Sequence, residues 1–387
     1  MKPEKPLISE INSFLKKFAT TLSKPQFAHF EQIIKGILFT ELKSTNSYSK
    51  SSNKHQTSLS RFMKSKAIKQ DKILEIIHQE IKSRLDFNQE IDFIIDDTIK
   101  HHKYGRHIYG LGRHHDHLNS CYSVGHSLVI GGVRQNSDFL PTNFDLYQRQ
   151  VDVSEPSTFK TKIDMAQEML DKWLDTIDNV LIDSWYSSKE ILSKISKKNK
   201  SYFTMLKSDR NVKIGRKRVR QVQEWTKYIN PKNYTIIKVD GQHHAVYEVI
   251  GTLPKVGKVK ILFTKFYDPI TKKSGKTHNL CTNNINLSAY DILYKYRDRW
   301  PIETFFRDIK QNLGFERCII RDKIGINMHF IMQFISHNIL VFSKRKPISC
   351  GEIQRELKYS YIEQILQNYG LKNHNLEDCK NKLKVLC

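Results

Sequence analysis

Acidic residues are scarce in this chain. Its 387 residues carry 40 Asp and Glu against 64 Lys and Arg, a formal net charge of +24. An enzyme of small metabolites has no use for such an excess, whereas a polyanionic partner does, because Lys and Arg displace its counterions. Apolar runs of spanning length are missing as well. The longest, His329 to Phe342, is short and interrupted by Gln333, His337 and Asn338, so it reads as a buried core helix. With neither a signal peptide nor a compact basic amphipathic anchor, no membrane partner is expected and the chain is placed in the cytoplasm. The six cysteines (Cys121, Cys281, Cys318, Cys350, Cys379, Cys387) contain no Cys-x-x-Cys pair. That spacing speaks against a disulfide framework and a structural zinc site, and for reduced thiols. A G-x-x-x-x-G-K-S/T loop is absent too, so no nucleotide cofactor is expected.

What is present falls into blocks. Residues 1–88 read as helical. Ile8, Ile11, Phe14/Leu15 and Phe18 make one apolar stripe; Phe27, Phe30, Ile33/Ile34 and Ile37/Leu38 a second; Ile73, Ile77, Ile81 and Leu85 a third. A Ser- and Lys-rich stretch from Lys43 to Lys54 separates them. Short helices broken by basic turns suit a helical DNA-binding domain, and they equally suit a plain bundle or dimerisation element. Residues 89–207 read as α/β. Strands are expected near Ile91–Thr98, Tyr122–Val133, Phe139–Tyr147, Asn179–Ile182 and Tyr202–Leu206, with helices at Ile163–Leu174 and Lys189–Lys197. That order fits a mixed sheet. Residues 208–287 read as a β-rich insertion that opens on the basic run Lys213 to Arg220, with strands at Tyr234–Val239, Ala245–Ile250 and Val259–Phe266. Helix returns over 288–345, and residues 346–387 read as a basic helical tail.

Asp97 and Asp183 each stand at the end of an apolar strand, where an unpaired carboxylate is costly unless it is bonded or binds metal. Carboxylates on adjacent strands suit Mg²⁺ or Mn²⁺. Further on, Tyr296, Arg299, Glu303, Arg307 and Lys310 recur at near-helical offsets. Read as one helix, they place an aromatic ring, cations and a carboxylate on one stripe, opposite the apolar Ile302, Phe305 and Ile309. Three carboxylates of this kind hold two ions roughly 3.5–4 Å apart for in-line displacement at phosphorus, with Arg and Lys on the non-reacting phosphates. The competing readings are strand-end turn caps for Asp97 and Asp183, and a solvated stripe of i,i+4 pairs for the helix. Asp96 stays open, because Phe93, Ile95 and Asp97 share one strand face while Ile94 and Asp96 share the other. The His-rich segment His101 to His117 matches no common zinc spacing and reads as a glycine-hinged basic loop beside the first acid.

At these residues the sequence resembles the DDE transposases of bacterial and archaeal insertion sequences, the group marked by Y-x2-R-x3-E-x6-K. Tyr296, Arg299, Glu303 and Lys310 match that signature at every gap, and Asp183-Ser-Trp-Tyr resembles the second acid motif. Asp96-Asp97-Thr98 resembles the first, in which the acid directly before Thr is catalytic, hence Asp97. The resemblance implies an RNase H-like core with a β-rich insertion between the second Asp and the Glu. It implies Asp97, Asp183 and Glu303 as catalytic metal ligands for a pair of Mg²⁺ or Mn²⁺ ions. Tyr296, Arg299, Arg307 and Lys310 would then lie on DNA, with Arg216, Lys217, Arg218 and Arg220 of the basic run adding further contacts. The implied partners are double-stranded DNA, as terminal inverted repeats and target, and a second copy of the chain as a homodimer on DNA. The implied activity is cut-and-paste transposition through hairpin ends. Some relatives stack a tryptophan of the insertion on a flipped base, yet no Trp lies between Trp225 and Trp300, which leaves Trp225, Phe266 or Tyr267 for that task. The alternatives are an RNase H-like nuclease without strand transfer and a catalytically inactive DNA-binding regulator.

Overall fold

The computed structural model describes residues 7–370, apart from 53, 103–106, 117–119, 154, 217 and 345–347. Lys217 and residues 371–387 of the C-terminal tail therefore lie outside the described residues. Five helices come first: α1 (Leu7–Lys16), α2 (Lys24–Phe39), α3 (Thr45–Lys50), α4 (Gln56–Met63) and α5 (Gln70–Arg84). Pro25 sits in the first turn of α2, where its missing N–H costs nothing, and a capping box of Ser23 and Gln26 closes that end. All three apolar stripes read from the sequence are buried, Phe27 alone only in part.

The sheet begins with β1 (Asp92–His101), β2 (Gly112–Asp116), β3 (Cys121–Gln135) and β4 (Asp138–Tyr147). Then come α6 (Lys162–Asp171), β5 (Asn179–Ile182), α7 (Lys189–Lys197) and β6 (Ser201–Met205). β3 pairs antiparallel with both β1 and β4, whereas β5 pairs parallel with β1 and with β6. The result is a mixed α/β sheet, as the order of elements predicted. Four-residue β5 is wholly buried, which explains its unbroken apolar Val180-Leu-Ile182.

The segment after β6 supplies β7 (Asn211–Ile214), β8 (Arg220–Gln221), α8 (Val222–Tyr228), β9 (Thr235–Val239), β10 (Gln242–Leu253), β11 (Gly257–Tyr267) and β12 (Ser274–Thr282). These strands extend the same sheet, because β12 pairs antiparallel with β6 over Leu280 to Thr282. The path runs β2-β3-β1-β5-β6-β12-β11-β10-β7-β8, with β4 beside β3 and β9 beside β10. Four helices close the described chain: α9 (Ala289–Arg297), α10 (Pro301–Gln311), α11 (Lys323–Phe342) and α12 (Cys350–Gly370).

α11 is long and apolar enough to cross a membrane, but 83 % of its apolar window is buried inside the fold, so it is the core helix its polar interruptions suggested. It packs on β4 and on α2, and α12 packs on α2 and α11. The N-terminal helices thus share one continuous core with the sheet.

Candidate active site

β1 does not stop at its acids, where the sequence predicts its end, but continues past them to His101. Its parallel pairing with β5 ends at Ile95–Ile182, while its antiparallel pairing with β3 runs on to His101. Asp96 and Asp97 therefore stand just beyond the end of the parallel pairing, where β5 stops and the sheet opens. Asp183 follows β5 directly, and its side chain accepts from the backbone N–H of Trp185 (2.9 Å) and of Tyr186 (3.2 Å). Those two bonds fix the carboxylate at the mouth of the same opening.

The charged stripe is not one helix. α9 ends at Arg297, Asp298 and Arg299 form a turn, and α10 restarts at Pro301. Proline supplies no N–H to carry the helical ladder through, and its fixed φ suits the first turn of a new helix. Tyr296 therefore belongs to α9, Arg299 to the elbow, and Glu303, Arg307 and Lys310 to one face of α10. Ile302, Phe305 and Ile309 are buried on the other face, as expected.

The elbow still delivers its residues to the acids. Arg299 donates to Asp96 Oδ2 at 2.6 Å and, through its other terminal nitrogen, to Glu303. Asp96, Arg299 and Glu303 are thereby joined, with Asp183 beside them. Asp97 faces the other side of β1. Lys162 of α6 donates to its Oδ2 at 2.6 Å, and the Tyr186 hydroxyl donates to its Oδ1 at 3.1 Å. The structure thus gathers four acids, Asp96, Asp97, Asp183 and Glu303, around two cations. Arg307 is exposed on the outer surface of α10, and Tyr296 is half-buried against the core.

Crowded carboxylates in a partly dry site resist ionisation. Burial, reinforced by Asp183 and Asp97 against the pull of Arg299, pushes Asp96 up to about 7. Burial also raises Asp183, with the backbone N–H of Tyr186 opposing and the charge of Asp97 adding. Burial would lower the Arg299 guanidinium, but Asp96, Tyr296 and Glu303 hold it above its usual range. These hard oxygens outnumber the cations among them, which is the chemistry a divalent oxygen-seeking cation takes, although no three of the acids bring oxygens within 4.8 Å of one another.

Beneath the acids lies an ion network that the sequence reading did not anticipate. Fully buried Asp92, at the start of β1, accepts from Arg134 of β3 (2.8 Å) and Asn179 of β5 (2.9 Å), and pairs with Lys295 of α9 (2.7 Å). Arg134 also pairs with Asp298 of the elbow at 2.8 Å. The α9–α10 elbow is thereby locked to the strands that carry the acids. Asp298 lies inside the Tyr-x2-Arg stretch and Lys295 directly before it, but charged and aromatic neighbours on both sides give neither a local pattern that would have marked it.

The basic run lies elsewhere. Arg216 and Arg218 are exposed in the β7–β8 turn, and Arg220 stacks over Tyr228 at 4.6 Å. β7 is six strand positions from β1, about 29 Å along the sheet at the usual spacing. These arginines therefore do not join the acid cluster. Of the aromatic candidates in the insertion, Trp225 is buried and its indole N–H donates to the Val212 carbonyl at 3.0 Å, so it is not free to stack. Phe266 is exposed. Trp185 and Trp300, each adjacent to a site residue, are exposed as well, and Lys207 covers the Trp185 ring at 4.3 Å. In the His-rich segment, Gly112–Asp116 form β2 against β3 rather than a loop, because the far end of β3 offers an open edge to pair.

A mixed sheet with carboxylates gathered where parallel strands end, braced by an arginine from the following helical elbow, defines an α/β protein with an acid-lined site at the end of the parallel pairing. Residues 90–339 match the family model described as the transposase DDE domain, and the chain belongs to that family. No curated protein matches the chain. Membership makes this a transposase-type protein that acts on DNA, in a family that typically works with divalent metals.

Proposed function

We propose that the chain is a DNA transposase that cuts at the ends of a mobile element and joins the freed ends to target DNA. The observation that carries this reading is the Asp96–Arg299–Glu303 link beside Asp183. It supports Asp183 and Glu303 as two of the acids that hold a divalent pair of Mg²⁺ or Mn²⁺, with Asp96 as the third. The sequence motif favours Asp97 for that place, and the Tyr186 bond does set Asp97 beside Asp183. The contacts favour Asp96, because only Asp96 shares the strand face of Arg299 and Glu303. When bound, such ions activate the attacking oxygen and stabilise the leaving oxygen at phosphorus.

The chain's own residues then have distinct tasks. Arg299 balances the acids and presents a planar fork that matches a phosphate. Arg307 and Lys310, on the same face of α10 as Glu303, extend the cationic track along the DNA backbone. Tyr296 backs the Arg299 side chain. The exposed arginines of the β7–β8 turn grip the duplex away from the scissile bond. The N-terminal helices provide end recognition, and a homodimer brings two ends together. A hairpin intermediate would need an aromatic platform, for which exposed Phe266 in the insertion is available and buried Trp225 is not.

The test is the purified full chain on duplex DNA bearing the inverted repeats that flank its gene, with Mg²⁺ and a target plasmid. Nicked ends and joined products are expected from the wild type, and neither from Asp183→Ala. Breaks without joined product would favour a nuclease on the same scaffold. Binding without breaks by the wild type would favour a regulator and overturn the proposal.

A further inference from the structure

Away from the acid cleft, three helices bring together a carboxylate, an imidazole and a thiol. Asp308 lies on α10, His337 on α11 and Cys350 at the start of α12, at 7 %, 3 % and 4 % exposure. One donor atom from each lies within 4.8 Å of the other two, and no other group of three such donors meets that limit among the described residues. The residues are far apart in sequence, so no spacing motif announces them.

The imidazole is already set as a ligand. His337 Nε2 stands 3.2 Å from the Phe139 carbonyl, which only an N–H can satisfy. That leaves Nδ1 as the lone-pair nitrogen, and Nδ1 has no hydrogen-bond partner although the residue is buried. An imidazole whose second nitrogen donates to a carbonyl is the usual outer support of a metal-bound histidine. The Cys350 thiol and the Asp308 carboxyl are hydrogen-bonded to each other. The charged neighbours are Lys344, paired with Asp138 at 2.7 Å, and Arg307, next to Asp308 in the chain.

We propose that Asp308, His337 and Cys350 form a three-donor site for a zinc-class ion, with water in the fourth position, tying α10 to α11 and α12. The thiolate and imidazole select Zn²⁺ over Mg²⁺ or Mn²⁺. Donors around tetrahedral zinc stand roughly 3.3–3.8 Å apart, so side-chain adjustments of about 1 Å close the site. A carboxylate and a thiolate neutralise the ion, which suits its burial. Because α10 also carries Glu303, the ion would fix the helix that supplies an acid to the cleft.

The experiment uses the full chain, purified without chelator and dialysed against metal-free buffer. Elemental analysis is expected to find zinc equimolar with protein, kept in Asp183→Ala and reduced to background in Cys350→Ser. Replacement by Co²⁺ should give the near-ultraviolet thiolate-to-cobalt band in the wild type and none in Cys350→Ser. A wild type that holds no zinc and shows no such band overturns the proposal whether or not the variant folds. So does a folded Cys350→Ser that keeps its zinc.

Discussion

Asp96 and Asp97 are neighbours in the chain and opposites in the sheet. Strand geometry sends one towards α10 and the other towards α6, and each meets a cation, Arg299 or Lys162. Their substitutions should therefore separate. Asp96→Asn is expected to abolish Mg²⁺-dependent nicking as completely as Glu303→Gln, while Asp97→Asn retains measurable cleavage. The reverse order in a nicking assay would return the site to Asp97. The raised Asp96 also sets a pH dependence. Its folded value of about 7 lies above the 3.8 of an ordinary aspartate, so the metal-free fold binds the extra proton between those values. That contribution to stability is complete below about 4 and lost as pH rises through about 7. In chelator, the melting temperature of the wild type should fall relative to Asp96→Asn across that window. Parallel curves would show that Asp96 ionises normally.

At the scale of elements, the elbow between α9 and α10 does the positioning. α9 starts with a capping box, in which Ser288 accepts from the Asp291 N–H at 3.1 Å and Asp291 accepts from the Ser288 N–H at 3.1 Å. Ser288→Ala should cost about 1 kcal/mol in denaturant unfolding, in line with other caps. Asp92→Ala should cost more, about 3–5 kcal/mol, because Arg134 and Lys295 would keep buried charges without their shared partner. A loss below about 1 kcal/mol would mean that water reaches the network. The sequence made much of this scale legible. Periodicity placed α2, α5 and α7, because each has one buried face, and unbroken apolar runs placed the central strands, which are buried on both. Neither signal revealed β2 or β12, whose exposed positions carry Arg, His, Ser, Gly and Lys in place of the apolar residues that mark a strand. Nor did helical arithmetic reveal the break at Pro301. The signature gaps named Arg299 and Glu303 correctly as neighbours, since an elbow returns them to contact as a continuous helix would. The Asp92 network and the Asp308–His337–Cys350 cluster were invisible, since each joins residues with no local pattern.

Across the whole molecule, charge is divided by place. The acids gather where β5 ends, while the exposed arginines of the β7–β8 turn stand at the far rim of the sheet. Replacing Arg216, Arg218 and Arg220 together by Gln should weaken binding of any duplex. It should flatten the slope of log K against log salt by about 0.9 for each phosphate that is no longer neutralised, and leave cleavage of bound ends intact. An unchanged slope in a salt titration would remove the run from the DNA interface.

That rim and the cleft are joined by an uninterrupted backbone ladder, since β12 bonds directly to β6. Among the described residues every strand from one to the other is paired with the next, so the span between them works as a fixed gauge. Its length of about 29 Å falls slightly short of one turn of B-form duplex, about 34 Å. A double helix anchored at the rim would present its backbone to the carboxylates close to one turn away. Inserting or deleting base pairs between anchor and cut should therefore swing the scissile strand out of reach instead of bending the protein to follow it.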